Sequence, residues 1–535
     1  MLGLMMDEPL LISKQLEFAA KFHPNVEIVT RTVEGPIQRS SYGELSRRAK
    51  QLAASLQARG IRPGDRIATI AWNTQRHMEL YYAVSGMGAV LHTINPRLSP
   101  EQLKYVVGHA RDRALFFDIT FAPLAAAVAK MKLGVEFLFA LTDDAGLQNV
   151  EVDAEAFENL FTGLDFEWPR LDERTASSLC YTSGTTGEPK GVLYSHRSTV
   201  LHSYGVCMSD SLGLSARDVT LPVVPMFHVN AWGVPYAATM VGSKLVMPGP
   251  GLDGPRLTEL IEGEAVTSLL GVPSVWMNLL GHYQQEGKRM ERVEKVVIGG
   301  SAAPPSMIRA FEQQHDVRVI HAWGMTEISP LGTANLPLAK HVDLPEESRL
   351  KRLEKQGRPI FGVDLRIIDD TDTPLPHDGK TTGHLQVRGP WVASAYFERP
   401  SEGEHRDGWF HTGDIASIDP DGYVLITDRS KDVIKSGGEW ISSIELENTA
   451  SLHPAVKQAA VIGVRHEKWQ ERPLLLVVPH QEAPSAEELL AFMQERIPKW
   501  WLPDRVEFVD ALPLGATGKV LKRELRNRYG DLVLR

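Results

Sequence analysis

Apolar positions recur at two spacings along this chain, three to four residues in some segments and short unbroken runs in others. Ser41-Tyr-Gly-Glu44 has the form of a capping box, and Leu45, Ala49, Leu52 and Leu56 follow at helical spacing, which predicts a helix. Gly60 and the Pro63-Gly64-Asp65 turn end it. The run from Arg66 to Ala71 then reads as a buried strand, and a further helical segment carries Met78 to Val90. Ala114 to Phe117 and Glu136 to Leu141 read as short strands, as do the run ending at Tyr181, Val296 to Ile298 and Val317 to Ile320. Alternation of the two periods predicts layered α/β architecture around a largely parallel sheet. No short repeat or low-complexity tract interrupts it.

Beyond residue 429 the pattern changes. A turn-rich, charged stretch from Gly408 to Asp432 precedes about a hundred residues with their own order. A helix is expected near Ile444 to Ser451 and strands near Ala459 to Val464 and Leu474 to Val478. A helix near Ala486 to Ile497 and a strand near Val506 to Val509 complete it. That suffices for a small α+β domain. The expected organisation is a large multi-layer N-terminal α/β domain, residues 1–429, a hinge at 430–431 centred on Lys431, and a small mobile C-terminal α+β domain, residues 432–535.

With 535 residues the chain exceeds one hydrophobic core, in keeping with two domains. It is 43% hydrophobic and 23% charged, the composition of an ordinary globular protein. The formal charge of −10 disfavours a nucleic-acid partner. Two cysteines, Cys180 and Cys207, are too few for a disulfide framework, so reduced thiols and a cytoplasmic location are expected. The start of the chain lacks a signal-peptide pattern, and no apolar run is long enough to span a membrane. A lipid substrate would be met from the water side.

Candidate chemistry begins after Tyr181. Thr182-Ser183-Gly184-Thr185-Thr186-Gly187-Glu188-Pro189-Lys190-Gly191 concentrates hydroxyls, glycines and one lysine. Glycine lets backbone N–H groups turn toward an anion, hydroxyls add donors, and Lys190 supplies a mobile positive charge. A plain surface turn has similar composition. The ordinary P-loop is excluded, because Pro189 stands where its second glycine belongs. Two further strand ends, Gly299-Gly300-Ser301-Ala302-Ala303-Pro304 and His321-Ala322-Trp323-Gly324-Met325-Thr326-Glu327, leave room for a flat ring near one crevice.

In order, these stretches resemble the motifs of the adenylate-forming superfamily of acyl-CoA synthetases, luciferases and peptide-synthetase adenylation domains. Pro225-Met226-Phe227-His228-Val229-Asn230-Ala231-Trp232, Gly413-Asp414, Asp428 to Asp432, Ser436-Gly437-Gly438-Glu439-Trp440 and Gly515-Ala516-Thr517-Gly518-Lys519 extend the likeness over nearly the whole chain. The branch most similar is that of bacterial medium- and long-chain fatty acyl-CoA synthetases, some relatives of which act on 3-methylmercaptopropionate.

The resemblance implies an ATP-dependent fatty acid:CoA ligase with Mg2+, working through an acyl-adenylate. Thr182, Ser183, Gly184, Thr185, Thr186, Gly187 and Lys190 would cradle the phosphates, and Glu327 with Thr185 the metal. Gly300, Ser301, Ala302, Ala322, Trp323, Gly324, Met325 and Thr326 would line the adenine site, and Asp414 and Arg429 the ribose. Many relatives carry Tyr where Trp323 stands, and either ring can stack. Lys519 would act in adenylation beside Lys190, Glu327, Thr326 and His228. Gly437, Gly438, Glu439 and Trp440 would border the pantetheine channel of CoA. His228, Val229, Trp232 and Gly299 would line the acyl pocket, with Trp232 as its gate.

A homodimer is also implied by the likeness, and a role in lipid metabolism. Three alternatives stay open: a ligase for 3-methylmercaptopropionate or another short or aromatic acid, an adenylating enzyme that loads a carrier protein, and a non-catalytic nucleotide-binding homologue.

Overall fold

The computed structural model describes residues 1, 3–182, 188–400, 403–437, 439–480, 482–514 and 520–534. Helix Tyr42–Ala58 forms where the sequence predicts it, with Leu45, Ala49, Leu52 and Leu56 fully buried. Ser41 caps it by accepting the Glu44 N–H at 3.3 Å. The reciprocal half of the capping box is absent, because the Glu44 carboxylate is drawn one turn along to Arg47 at 2.9 Å. The next helix, Gln75–Gly86, stops earlier than its apolar run suggests. Gly88 turns at φ +89, and Val90–Thr93 is a strand parallel to Arg66–Ile70.

Instead of one largely parallel sheet there are two. In the seven-stranded sheet, Glu155–Ala156, Phe137–Ala140, Asp112–Phe117, Arg66–Ile70, Val90–Thr93 and Ala176–Tyr181 run parallel, and Gly191–Ser195 closes the edge antiparallel. In the nine-stranded sheet the parallel centre is Arg318–Gly324, Lys295–Ile298, Ser268–Gly271, Val219–Pro222, Lys244–Met247 and Glu27–Arg31, flanked by antiparallel edges. Their central strands, such as residues 67–70, 90–93 and 295–298, are buried on both faces.

A third, antiparallel sheet pairs Asp364–Ile368, Thr382–Arg388, Trp409–Ile418, His405–Arg406 and Val424–Arg429. It was not evident in the sequence, where this stretch reads as turns. Its register sets Asp414 directly opposite Arg429.

After Arg429 the chain leaves this sheet, and Ile434–Ser436 begins a six-stranded sheet built from Glu439–Ile441, Gln470–Pro479, Val456–His466, Arg505–Phe508 and Val533–Leu534. One face packs Val461 and Leu475 against Leu446 of helix Ser443–Ser451 and Leu489 of helix Ala486–Gln494. The other face packs Ile462 and Leu474 against Leu525 of helix Lys522–Tyr529. The Asp428 carboxylate ties the two regions, accepting the Ser443 N–H at 2.7 Å and its hydroxyl at 2.6 Å. Among the described residues no helix is long and apolar enough to cross a membrane, and both cysteines are free thiols.

Candidate active site

The glycine- and hydroxyl-rich stretch bridges an antiparallel pair, Ala176–Tyr181 and Gly191–Ser195, with Tyr181 opposite Gly191. Thr182 and Lys190 close its neck. The Thr182 N–H donates to the Lys190 carbonyl at 2.9 Å, and the Lys190 N–H to the Thr182 hydroxyl at 3.4 Å. Ser183, Gly184, Thr185, Thr186 and Gly187 lie outside the described residues.

From this neck the Lys190 ammonium forms an ion pair with Glu404 and sits 4.8 Å from the centre of the Tyr396 ring. The Tyr396 hydroxyl in turn donates to Glu327 Oε1 at 2.7 Å. Glu327 is only 6% exposed, and burial raises its pKa against the opposing pull of Tyr396, Arg429 and Lys190.

Glu327 lies in the turn Thr326–Ile328, after strand Arg318–Gly324. The Thr326 carbonyl accepts the Tyr194 hydroxyl at 2.6 Å, which joins this turn to the edge strand of the seven-stranded sheet. Gly324 has no room for a side chain, since a Cβ there would meet the Pro330 carbonyl oxygen at 2.0 Å. His321 braces the neighbouring strand end: its Nε2 accepts the Ala303 N–H at 3.3 Å and its Nδ1 contacts the Leu353 carbonyl at 3.1 Å. Burial holds its pKa down to about 4, so the ring is neutral near pH 7. Beside it Gly300 and Ser301 are exposed and Ala302 half-buried, while Ala322 is buried and Met325 half-buried.

Asp414, 3% exposed, is held on both carboxylate oxygens. Arg429 Nε lies 2.9 Å from Oδ1, and Trp323 Nε1 donates to Oδ2 at 3.0 Å. Arg429 also donates to the Thr412 carbonyl at 3.1 Å. Indole, carboxylate and guanidinium therefore form one oriented unit.

The apolar end is built on an unusual backbone. Val229, Asn230, Ala231 and Trp232 have φ between +47 and +57, four successive non-glycine residues in the left-handed region, and Gly233 follows at +73. Buried Asn230 pins them. Its Oδ1 accepts from the Tyr81 hydroxyl at 3.3 Å, the Thr93 hydroxyl at 3.4 Å and the Cys180 thiol at 3.3 Å, and its Nδ2 donates to Ser178 Oγ at 2.9 Å. The turn lays the Trp232 ring on Gly299, where a Cβ would come within 3.0 Å of it. His228, half-buried, borders a small cavity shared with His92, Asn95 and Tyr181.

The structure thus brings Lys190 and Glu327 together through Tyr396, and Trp323 and Arg429 together on Asp414, the two groups standing four residues apart in the chain at Trp323 and Glu327, with Gly299 and Trp232 packed together beside the Gly300 turn. It places Trp440 elsewhere, its ring 5.8 Å from that of His384 on the five-stranded sheet. Gly437 turns at φ +61 and donates its N–H to the Trp469 carbonyl at 2.9 Å. Gly438 and Lys519 lie outside the described residues, as does the Glu439 side chain. Lys431 is exposed, while its neighbour Ser430 donates to the Gly413 carbonyl from both N–H and hydroxyl at 2.9 Å.

Two regions match known family models: residues 16–397 the AMP-binding enzyme model, and residues 445–519 the AMP-binding enzyme C-terminal domain. The chain belongs to the AMP-binding enzyme family. It is 55% identical to a 3-methylmercaptopropionyl-CoA ligase of Ruegeria lacuscaerulensis over 536 residues, 99% of each chain. It is 51% identical to a medium-chain-fatty-acid–CoA ligase of Ectopseudomonas oleovorans over 540 residues, 100% of this chain and 99% of the other. The crystal structure of the anthranilate CoA ligase AuaEII with anthranoyl-AMP shares its fold, with a TM-score of 0.86 at 24% identity, covering 98% of both chains. This member of the adenylate-forming superfamily is accordingly an acyl-CoA ligase that uses ATP and CoA.

Three side chains in the site had no signal in the sequence. Tyr396 and Glu404 stand in a charged loop more than two hundred residues from Lys190, and Asn230, inside the Pro225 to Trp232 motif, has a side chain whose partners lie far off in the chain. Only long-range pairing reveals them.

Proposed function

We propose that the protein ligates a medium- or long-chain fatty acid to CoA in two steps at the site between the strand ends and the C-terminal domain. The observation that carries the reading is a pair of clusters at one strand end, Lys190 and Glu327 on either side of Tyr396, and Arg429 with Trp323 on Asp414, which between them offer groups for phosphate, metal, ribose and base.

Asp414 is already oriented by Arg429 and Trp323 and keeps a free lone pair on each oxygen for the ribose hydroxyls. Trp323 offers an aromatic edge to adenine. Lys190 and the loop hydroxyls neutralise the β- and γ-phosphates. Glu327 fits Mg2+: it is a buried hard oxygen donor with one protein hydrogen bond on Oε1, and no set of three or more acidic, histidine or cysteine ligands gathers among the described residues. Such an ion takes one or two carboxylates plus substrate phosphates and supplies charge neutralisation.

The acid's carboxylate oxygen then attacks the α-phosphorus, the bond to the bridging oxygen breaks, and pyrophosphate leaves. Lys519 is assigned to stabilise the charge in that step. In the second step the C-terminal domain, turning about Lys431, brings Gly437, Gly438 and Trp440 over the site. The CoA sulfur bonds to the acyl carbonyl carbon and AMP departs. Holding the mixed anhydride away from water between steps gives the motion its use. His228, Val229, Trp232 and Gly299 border the acyl group. Two copies are expected to associate, and the location is cytoplasmic.

A second reading, ligation of 3-methylmercaptopropionate, is favoured by the higher identity to the ligase bearing that name. One assay separates them: AMP and pyrophosphate release with Mg·ATP, with and without CoA, across acids from acetate to palmitate and including 3-methylmercaptopropionate. Turnover that requires CoA and rises with chain length supports the first reading. A maximum at the sulfur acid supports the second, and pyrophosphate release indifferent to CoA would replace both with carrier-protein loading.

A further inference from the structure

We infer that Glu404 is a built-in counter-ion for Lys190, occupying the place of the ATP triphosphate and thereby setting how tightly the enzyme holds ATP. The inference rests on reading Lys190 as the phosphate lysine.

Lys190 and Glu404 are 214 residues apart in sequence, yet their charged groups meet with side chains only 21% and 19% exposed. An ion pair this enclosed is screened less than a surface pair. Nor does Glu404 simply reach in from a free loop. Its carbonyl accepts the His411 N–H at 2.7 Å, and the next residue, His405, contacts the Ala393 carbonyl through Nε2 at 2.8 Å. Ala393 is itself bonded through its N–H to the Glu327 carbonyl at 2.7 Å. The frame that holds Glu327 thus also aims Glu404 at the lysine.

On the lysine's flank the Tyr396 ring adds a cation–π contact at 4.8 Å. The chain itself thus supplies Lys190 with both a counter-charge and a ring to rest on. A triphosphate carries several negative charges where Glu404 carries one, so it wins the exchange. ATP binding must still release the lysine, which lowers the apparent affinity by the fraction of lysine that is free. AMP has no β- or γ-phosphate and owes nothing to this exchange.

The test compares Glu404→Gln and Glu404→Ala with the parent enzyme, measuring KM for ATP, inhibition by pyrophosphate and product inhibition by AMP. Both variants are expected to lower KM for ATP and the inhibition constant of pyrophosphate about three- to tenfold, leaving that of AMP within about twofold. A KM for ATP that stays constant or rises in both variants, or an equal shift for AMP, overturns the proposal. Lys190→Ala is measured alongside. If it weakens ATP use while the Glu404 variants do nothing, only the counter-ion idea fails; if it too leaves ATP use unchanged, the phosphate reading of Lys190 fails with it.

Discussion

On the proposed reading of the site, its nucleoside end and its phosphate end are prepared in opposite ways. At the nucleoside end Asp414 is buried and fixed on both oxygens by Arg429 and Trp323, and nothing in that unit must break for a ribose to dock. At the phosphate end Lys190 is already paired with a carboxylate of the chain itself, so binding there is an exchange. The difference follows from the charges involved. A neutral sugar needs a preformed acceptor, whereas an ammonium as enclosed as that of Lys190 would be costly to leave unpaired.

Asp414→Asn should break the first half of that contrast with the largest effect. The amide keeps the shape but loses the charge that Arg429 pairs with and one of the two acceptor oxygens, and its nitrogen faces a donor. Loss of charge-assisted hydrogen bonds of this kind is worth about 2–3 kcal/mol, so kcat/KM for ATP is expected to fall about a hundredfold. Steady-state kinetics with varied ATP read it out, with a melting curve to confirm folding. A drop under about fivefold would mean that the unit is structural and the ribose is held elsewhere.

Asn230→Ala tests the apolar end and ranks second. Four left-handed residues each carry about 1–2 kcal/mol of backbone strain, and one buried amide with four partners keeps them there. Without it the turn should relax and lift Trp232 from Gly299. The expected result is at least a tenfold fall in kcat/KM for the acid, a smaller change for ATP, and altered tryptophan emission. Equal losses for both substrates would assign Asn230 to general stability instead.

Much of this arrangement was legible because its parts are local. The periodic helix over Tyr42–Ala58 and the strands before Tyr181 and after Lys295 depend on neighbours within about ten residues. The third sheet was not legible, since its strands lie between turns and gain their partners only from one another. The same holds for Glu404, Tyr396 and Asn230, whose roles arise from pairings across strands far apart in the chain. The end of the Gln75–Gly86 helix differs from the expected one for a related reason, as Val90 follows a helical spacing but pairs with a parallel neighbour. Where an element rests on its own neighbours the sequence shows it; where it borrows a distant partner it does not.

Tyr396→Phe gives the smallest effect and joins the two ends. Tyr396 lies under the Lys190 ammonium and donates to Glu327, whose pKa burial has already raised. The donated hydrogen bond favours the ionised carboxylate, so removing it should raise that pKa further. If ionised Glu327 is needed, activity is lost as pH falls through its pKa, and the acid limb of kcat/KM for ATP moves to higher pH in the variant. The shift is expected to be under about one pH unit, since one neutral hydrogen bond is worth about 1 kcal/mol. Its direction carries the meaning. A limb that moves to lower pH, or stays fixed while kcat falls, would show that another group governs the acid limb and that Tyr396 serves the lysine alone.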